Sequence, residues 1–512
     1  MLFQYGLFSS GNIIMMGIPK LVKFKAFIFC CVFLSCAYSK ITDTTTKVYT
    51  NKQLNQDYSI LQSILEKKHP SIYWYTDKDS MKYYFNHYKQ SIKDSMNEQQ
   101  FTWQILNPLV NKIHCGHTEV IPSKSFEKKE KKHVGKQFPL NIKVWNDTAV
   151  VINSMFQNDS IFKQGTIINS INGLSIKQII QQMRGYFSED GFAGNATLLK
   201  ISFNFPYYYK NIFDLKEENE IEYTDSLGNV KKAIVVSNSP LKKLNKDNLK
   251  TIPQKHISKL IQYRNFEIDS SGKFAVMRLN TFSKGKLRRF FRQSFRECKK
   301  KHIANLILDI RLNGGGKVSN STLLTKYLSN RPFKIADSVY ATSKSLYPFN
   351  KYFKSPFINN VGLTFITNKN KDGKYHLTSF EKNWHKPKKR LHYNGKVYLI
   401  TSGLTFSASC LLANVLKGQS NINLAGEETG GGWYGNSGIL IPKVILPATG
   451  IRINMPLFRI VQYKHPGLKG TGIRPDIQIN TSYDALKKGY DKKLTVIKTM
   501  IINDSDSTMS KK

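Results

Sequence analysis

The chain has 512 residues, 40% of them hydrophobic, with 77 Lys and Arg against 35 Asp and Glu and a formal net charge of +42. That length predicts two or three domains, and the apolar content supports a sizeable core. The charge raises nucleic acid or an anionic surface as a partner. The basic residues are scattered, however, and no nucleic-acid-binding motif is recognisable, so no nucleic-acid partner is expected.

Residues 1–39 read as an export signal. Lys20, Lys23 and Lys25 precede an apolar run at 26–34, and Ala37-Tyr38-Ser39 offers small residues for cleavage. An alternative is a lipoprotein signal at Leu34-Ser35-Cys36, with Cys36 acylated after cleavage and the chain attached to a membrane. The apolar run is short for a permanent membrane anchor. The expected location is therefore exported: periplasmic, secreted or lipid-anchored at the cell envelope. Cys30, Cys31 and Cys36 lie in this segment, which leaves Cys115, Cys298 and Cys410. An odd, small number argues against a disulfide framework.

Residues 45–123 are expected to form a helical domain. Leu54, Tyr58, Leu61, Ile64 and Leu65 follow helical spacing, and His69-Pro70 stops the run. Near its end, His114, Cys115 and His117 suggest a metal site. They lie too close together for common zinc-ligand spacing, and no second cluster completes four ligands. No metal or organic cofactor is expected. Residues 128–132 and 386–390 read as solvated basic loops.

Residues 137–240 read as strands and one helix. The stretch Gly165-Thr166-Ile167-Ile168-Asn169-Ser170-Ile171-Asn172-Gly173-Leu174, with a helix expected at 176–183, resembles the strand–turn core of a PDZ-like domain. Such domains bind extended peptides by adding a strand to a sheet edge. A simple structural β-domain is the other reading. Residues 284–301 form a basic helix-like run whose Leu287, Phe290, Phe291 and Phe295 fall on one apolar face.

Residues 268–482 alternate strands and helices, as in an α/β core. A buried strand at 304–310 runs into Arg311-Leu312-Asn313-Gly314-Gly315-Gly316, where the glycines allow a tight turn and a nest of N–H groups. A phosphate loop is the rival, but the required Lys-Ser/Thr spacing is absent. A second strand at 396–401 feeds a turn and an apolar helix carrying Leu411, Leu412, Val415 and Leu416. Ser407 stands at that turn. Free N–H groups and the helix dipole there favour an attacking serine and its oxyanion. The plainer alternative is that Ser407 caps the helix. The polar tail at 503–512 is expected to be disordered.

Taken together, these motifs resemble the S41 peptidases, the tail-specific or C-terminal processing protease family. Asp309-Ile310-Arg311-Leu312-Asn313-Gly314-Gly315-Gly316 looks like the family's glycine-rich oxyanion motif, and Ser407-Ala408-Ser409 like its nucleophile motif. Gly426-Glu427-Glu428-Thr429-Gly430-Gly431 and Gly472-Ile473-Arg474-Pro475-Asp476 look like its later segments, in family order. The resemblance implies an α/β protease core of the ClpP/crotonase-like type, with Ser407 as nucleophile and the N–H groups of Ala408 and Gly315 as oxyanion donors. It also implies a polypeptide substrate.

One branch of the family places a lysine base 25 residues beyond the nucleophile; here that residue is Gly432. The tricorn-like branch uses an N-terminal histidine, and Gly116-His117-Thr118 resembles its motif, which nominates His117 as general base. That branch supports the histidine with a glutamate three residues before the closing glycine; here that residue is Lys469. Glu119, Glu427 and Glu428 are candidate acids, none assigned by spacing. Cys410 stands where many relatives carry Glu, and reads as a small buried residue or a competing thiol. The expectation is an exported serine endopeptidase. A catalytically degenerate binding protein on this fold and a PDZ-type peptide-binding scaffold are the alternatives.

Overall fold

The computed structural model describes residues 47–132, 135–155, 159–225, 227–237, 260–466 and 468–509. The expected export signal at 1–39, with Cys36, and the end of the 137–240 region fall outside the described residues.

The centre is a six-stranded sheet in the order Arg264–Ile268, Phe274–Leu279, Asn305–Asp309, Lys396–Thr401, Ile422–Gly426 and Ile477–Gln478. The first pair is antiparallel and the remaining pairs are parallel. Parallel strands are covered on both faces, so they read as continuous apolar runs, and alternate residues serve different layers. Leu306, Leu308, Val397 and Leu399 pack on the helices Leu287–Lys300, Val318–Leu328 and Ala408–Leu416. Ile307, Tyr398 and Ile400 turn to the other face, where Ile497 and Ile501 of the helix Lys492–Met509 cover them.

The basic run at 284–301 resolves as the helix Leu287–Lys300, with Leu287, Phe290, Phe291 and Phe295 buried. Each buried Phe contributes about 1.5–3 kcal/mol, which anchors the helix while its arginines and lysines stay outside. Three expectations differ. Among the described residues, 137–240 carry not one helix but three, Ile176–Arg184, Asn195–Phe203 and Phe205–Ile212, the last two packing their apolar residues into the cluster of the antiparallel sheet. Residues 128–132 are not a loop but the end of a helix, Lys124–Lys132, with no buried residue. The tail is helical through Met509, because Ile497 and Ile501 anchor the last helix on the sheet and the backbone pattern continues beyond them.

At the N-terminal end of the described chain, Asn51–Lys68 is a helix with a Thr50–Gln53 capping box. Leu54, Tyr58, Leu61, Ile64 and Leu65 are all buried, and His69, before Pro70, is its C-cap. This helix shares one hydrophobic cluster with Phe333, Leu411, Val415 and Ile453 of the α/β region. Asp57 accepts the N–H groups of Ala448 and Thr449, both at 2.9 Å.

Two further sheets matter for the site. The short strand Glu119–Ile121 pairs with Arg452–Asn454, which in turn pairs with Lys443–Ile445. Residues 140–236 carry an antiparallel sheet in the order Leu140–Trp145, Thr148–Ser154, Ile167–Ile171, Glu218–Thr224 and Val230–Val236. The helix Ile176–Arg184 follows a tight turn at Asn172 and Gly173. Among the described residues, no helix is long and apolar enough to cross a membrane.

Candidate active site

The strands Asn305–Asp309 and Lys396–Thr401 run parallel, so the turns leaving them emerge at one end of the sheet, where α/β folds commonly place their sites. Side chains stitch the two turns together. Ser402 Oγ donates to the Arg311 carbonyl at 2.6 Å, and Thr405 Oγ1 to the Ile310 carbonyl at 3.2 Å. The Phe406 N–H donates to the Asn313 carbonyl at 3.2 Å. Arg311 is itself fixed by Asp309 in a two-pronged pair and by Asp491 at 2.8 Å.

Ser407 follows at φ 54° and ψ −122°, directly before the helix Ala408–Leu416, and its side chain makes no capping hydrogen bond. The cap alternative therefore has no support in the side chain. A positive φ is costly for a residue with a Cβ and persists where surrounding packing enforces it. The turn thus holds the hydroxyl at a helix N-terminus without committing it to the helix.

Gly315 comes against this turn at φ 100°. A Cβ added to it would stand 2.7 Å from Ser407 Cβ and 3.0 Å from the Ala408 nitrogen, so only glycine fits. The two expected oxyanion donors are therefore neighbours in space. The Gly315 N–H donates to Asn313 Oδ1 at 3.0 Å. That bond must yield or be shared for the same N–H to meet an oxyanion.

His117 reaches the site from the other end of the chain. Its turn closes with Thr118 N–H on the Cys115 carbonyl at 2.9 Å, and the next residues enter the strand paired with Arg452–Asn454. His69 braces it from below. The Ser71 N–H donates to His69 Nδ1 at 3.1 Å, which leaves Nε2–H to donate to Thr118 Oγ1 at 2.7 Å. Burial drives the His69 pKa down to about 3, so it acts as a neutral strut. The His117 imidazole lies 4.8 Å from the Phe406 ring, one residue before Ser407.

Among the described residues no hydrogen bond joins Ser407 and His117; such bonds are often long in unliganded sites. The His117 side chain is 8% exposed, and burial holds its pKa below the ordinary imidazole value, against an opposing pull from Asp190. His114 is committed elsewhere, its Nδ1 to the Gly191 carbonyl at 3.0 Å. Among the described residues, no group of three or more His, Cys, Asp or Glu side chains is arranged to hold a metal ion.

The candidate acids are each engaged away from His117. Glu119 meets Asn454, Glu427 meets Thr481 and Lys493, and Glu428 accepts the Gly472 N–H at 2.6 Å. Lys469 lies over the rings of Trp74 and Tyr434. The carboxylate that does face His117 is Asp190, with Oδ1 at 4.0 Å from Nδ1. Nothing in its local sequence, Ser188-Glu189-Asp190-Gly191, announces this; only the Asp-Gly turn signal is visible there. Cys410 is buried beneath the turn with Sγ on the Thr405 carbonyl, and burial pushes its thiol up to about 12. It is a packed thiol, not a competing thiolate.

The description "Peptidase family S41" matches residues 273–479. A search of the curated proteins finds no match. Among solved structures, the crystal structure of mature CPAF superposes with a TM-score of 0.60 at 14% identity, covering 89% of this chain and 98% of that one. The structure of mature CPAF complexed with lactacystin gives 0.59 at 14% identity, covering 89% and 99%. A putative peptidase from Parabacteroides merdae gives 0.47 at 13% identity, covering 90% and 99%. The S41 match spans five of the six central strands, both stitched turns and Ser407, so residues 273–479 are a region of peptidase family S41, a serine-type peptidase, and the fold of mature CPAF is shared over most of the chain.

Proposed function

We propose that this protein is an exported serine endopeptidase in which Ser407 is the nucleophile and His117 the general base. The observation that carries the reading is the strained Ser407 turn: an uncapped hydroxyl at a helix N-terminus, with Gly315 packed against it. His117 accepts the Ser407 Oγ proton as Oγ bonds to the substrate carbonyl carbon. The charge that moves to the carbonyl oxygen meets the Ala408 N–H and, once released from Asn313, the Gly315 N–H. The imidazolium then gives its proton to the leaving amine as the C–N bond breaks. Water repeats the sequence in the second half and frees the acyl group. No metal or organic cofactor enters these steps.

Residues 137–240 are proposed as a PDZ-like region that presents the polypeptide. Val230–Val236 is an edge strand with Val230, Ile234 and Val236 exposed, a surface suited to an added strand. The same edge favours the second reading, a peptide-binding scaffold. Export rests on the signal-like sequence at 1–39, with acylation of Cys36 as the lipid-anchored variant.

The test is digestion of an unfolded protein such as casein by the purified chain, beside Ser407→Ala and His117→Ala. Cleavage by the parent and by neither variant supports the peptidase assignment. Cleavage unchanged in both variants overturns it. Peptide binding that survives Ser407→Ala without any cleavage by the parent favours the scaffold.

A further inference from the structure

We propose that Asp190 is the positioning acid of this site: it holds the His117 imidazole in register with Ser407, in place of the carboxylate that Lys469 lacks. The inference rests on the Ser407–His117 reading above.

Four observations carry it. Asp190 is buried, at 2% exposure, and its Oδ1 lies 4.0 Å from His117 Nδ1. His117 Nδ1 is itself buried and has no hydrogen-bond partner, so an unsatisfied ring nitrogen faces a carboxylate. The carboxylate is held by the backbone on both sides. The Gly116 N–H, one residue before His117, donates to Oδ1 at 2.9 Å, and the Gly432 N–H donates to Oδ2 at 3.4 Å. Finally, the segment carrying Asp190 is clamped between the histidine turn and the closing turn. The Gly191 N–H donates to the His114 carbonyl at 3.0 Å, and the Phe192 N–H to the Gly470 carbonyl at 2.8 Å. A Cβ on Gly191, at φ 65°, would stand 2.4 Å from Gly470 Cα.

The carboxylate thus touches Gly432, where the lysine branch would carry its base, and its segment abuts the residue after Lys469. A separation of 4.0 Å is too long for a hydrogen bond and short enough to close with a small turn of the ring. When His117 takes the Ser407 proton on Nε2, its Nδ1–H donates to Asp190 Oδ1, and the carboxylate stabilises the imidazolium without taking the proton. Lys200 and Arg459 oppose that charge, and Glu119 supports it. Glu189, Tyr75, Cys115 and Cys410 also feel the Asp190 charge. Among the described residues, Asp190 is nevertheless the carboxylate within 4.0 Å of the ring.

The experiment compares the full chain with Asp190→Asn, Ser407→Ala and His117→Ala on a peptide substrate across pH. Asp190→Asn is expected to lower kcat by about 10²–10⁴-fold with little change in KM, and to move the acid limb of kcat/KM to lower pH, because the imidazolium loses its counter-charge. Loss of activity in Ser407→Ala and His117→Ala with full kcat and an unmoved limb in Asp190→Asn overturns the proposal while leaving the peptidase reading intact. Full activity in Ser407→Ala or His117→Ala instead overturns the reading on which it rests. A second measurement needs no Asp190 variant and covers a variant that fails to fold. In the unsubstituted protein trapped at serine by a peptide boronic acid, a strongly downfield Nδ1 proton on the His117 imidazolium is expected by NMR. Its absence overturns the proposal.

Discussion

Gly315 lies against Ser407 so closely that a single added methyl would stand 2.7 Å from the serine Cβ. The Ser407 backbone and the glycine-rich turn are one packed unit.

Gly315→Ala should therefore damage activity more than folding. The methyl meets Ser407 Cβ and the Phe406 carbonyl, and alanine is strained at φ 100°. The expected outcome is a fall in kcat of about 10²-fold or more and a stability loss of about 1–3 kcal/mol. Peptide hydrolysis and urea unfolding of the same preparation read the two effects separately.

The pH dependence follows from His117. Burial lowers its pKa below the ordinary imidazole value, with Asp190 pulling the other way, so the proposed base stays neutral to a lower pH than a solvent-exposed histidine. The acid limb of kcat/KM is expected below about pH 6.5. A pH series on a peptide whose own groups do not titrate between pH 5 and 8 checks it; a limb above the ordinary value contradicts the burial argument.

His69 gives a second, separable pH effect, on stability. Its folded pKa is depressed to about 3, so the unfolded chain binds the extra proton as pH falls. Stability is whole above the unfolded value of about 6.5 and declines below it, at up to about 1.4 kcal/mol per pH unit, until the folded pKa is reached. His69→Gln, which retains a donor for Thr118, should be less stable at pH 7 and show a shallower decline toward pH 4.5. Denaturant midpoints at three pH values measure both.

Arg311→Lys tests how firmly the glycine turn is anchored. The guanidinium spans Asp309 and Asp491, which an ammonium cannot do with the same geometry. A loss of about 1–3 kcal/mol is expected, with a larger proportional fall in kcat than in KM. Thermal melting and steady-state kinetics give the two numbers.

Much of the centre of this fold was legible in the sequence because the relevant signals are local. Runs such as Leu306-Ile307-Leu308 read as buried strands, and the 3.6-residue spacing of Leu54, Tyr58, Leu61 and Leu65 read as a helix with one buried face. Glycines before Ser407 and the small residues around it marked both turns. The partner of His117 was not legible in this way. Asp190 meets the histidine only because Gly191 and Phe192 bond to His114 and Gly470, contacts that span 77 and 278 residues and leave no periodic trace. Residues 128–132 misled for a related reason. A helix with no buried face has the composition of a loop, and only its backbone bonds distinguish it.

The pairing of Glu119–Ile121 with Arg452–Asn454 also has a consequence for the timing of synthesis. The imidazole side of the site is aligned by a strand that leaves the ribosome some 330 residues later, and non-local pairings of this span form late. A nascent chain that has already displayed Ser407 still lacks the template that seats His117. On the proposed mechanism, cutting competence waits for the chain from residue 452 onward, and chains truncated before it are expected to be inactive.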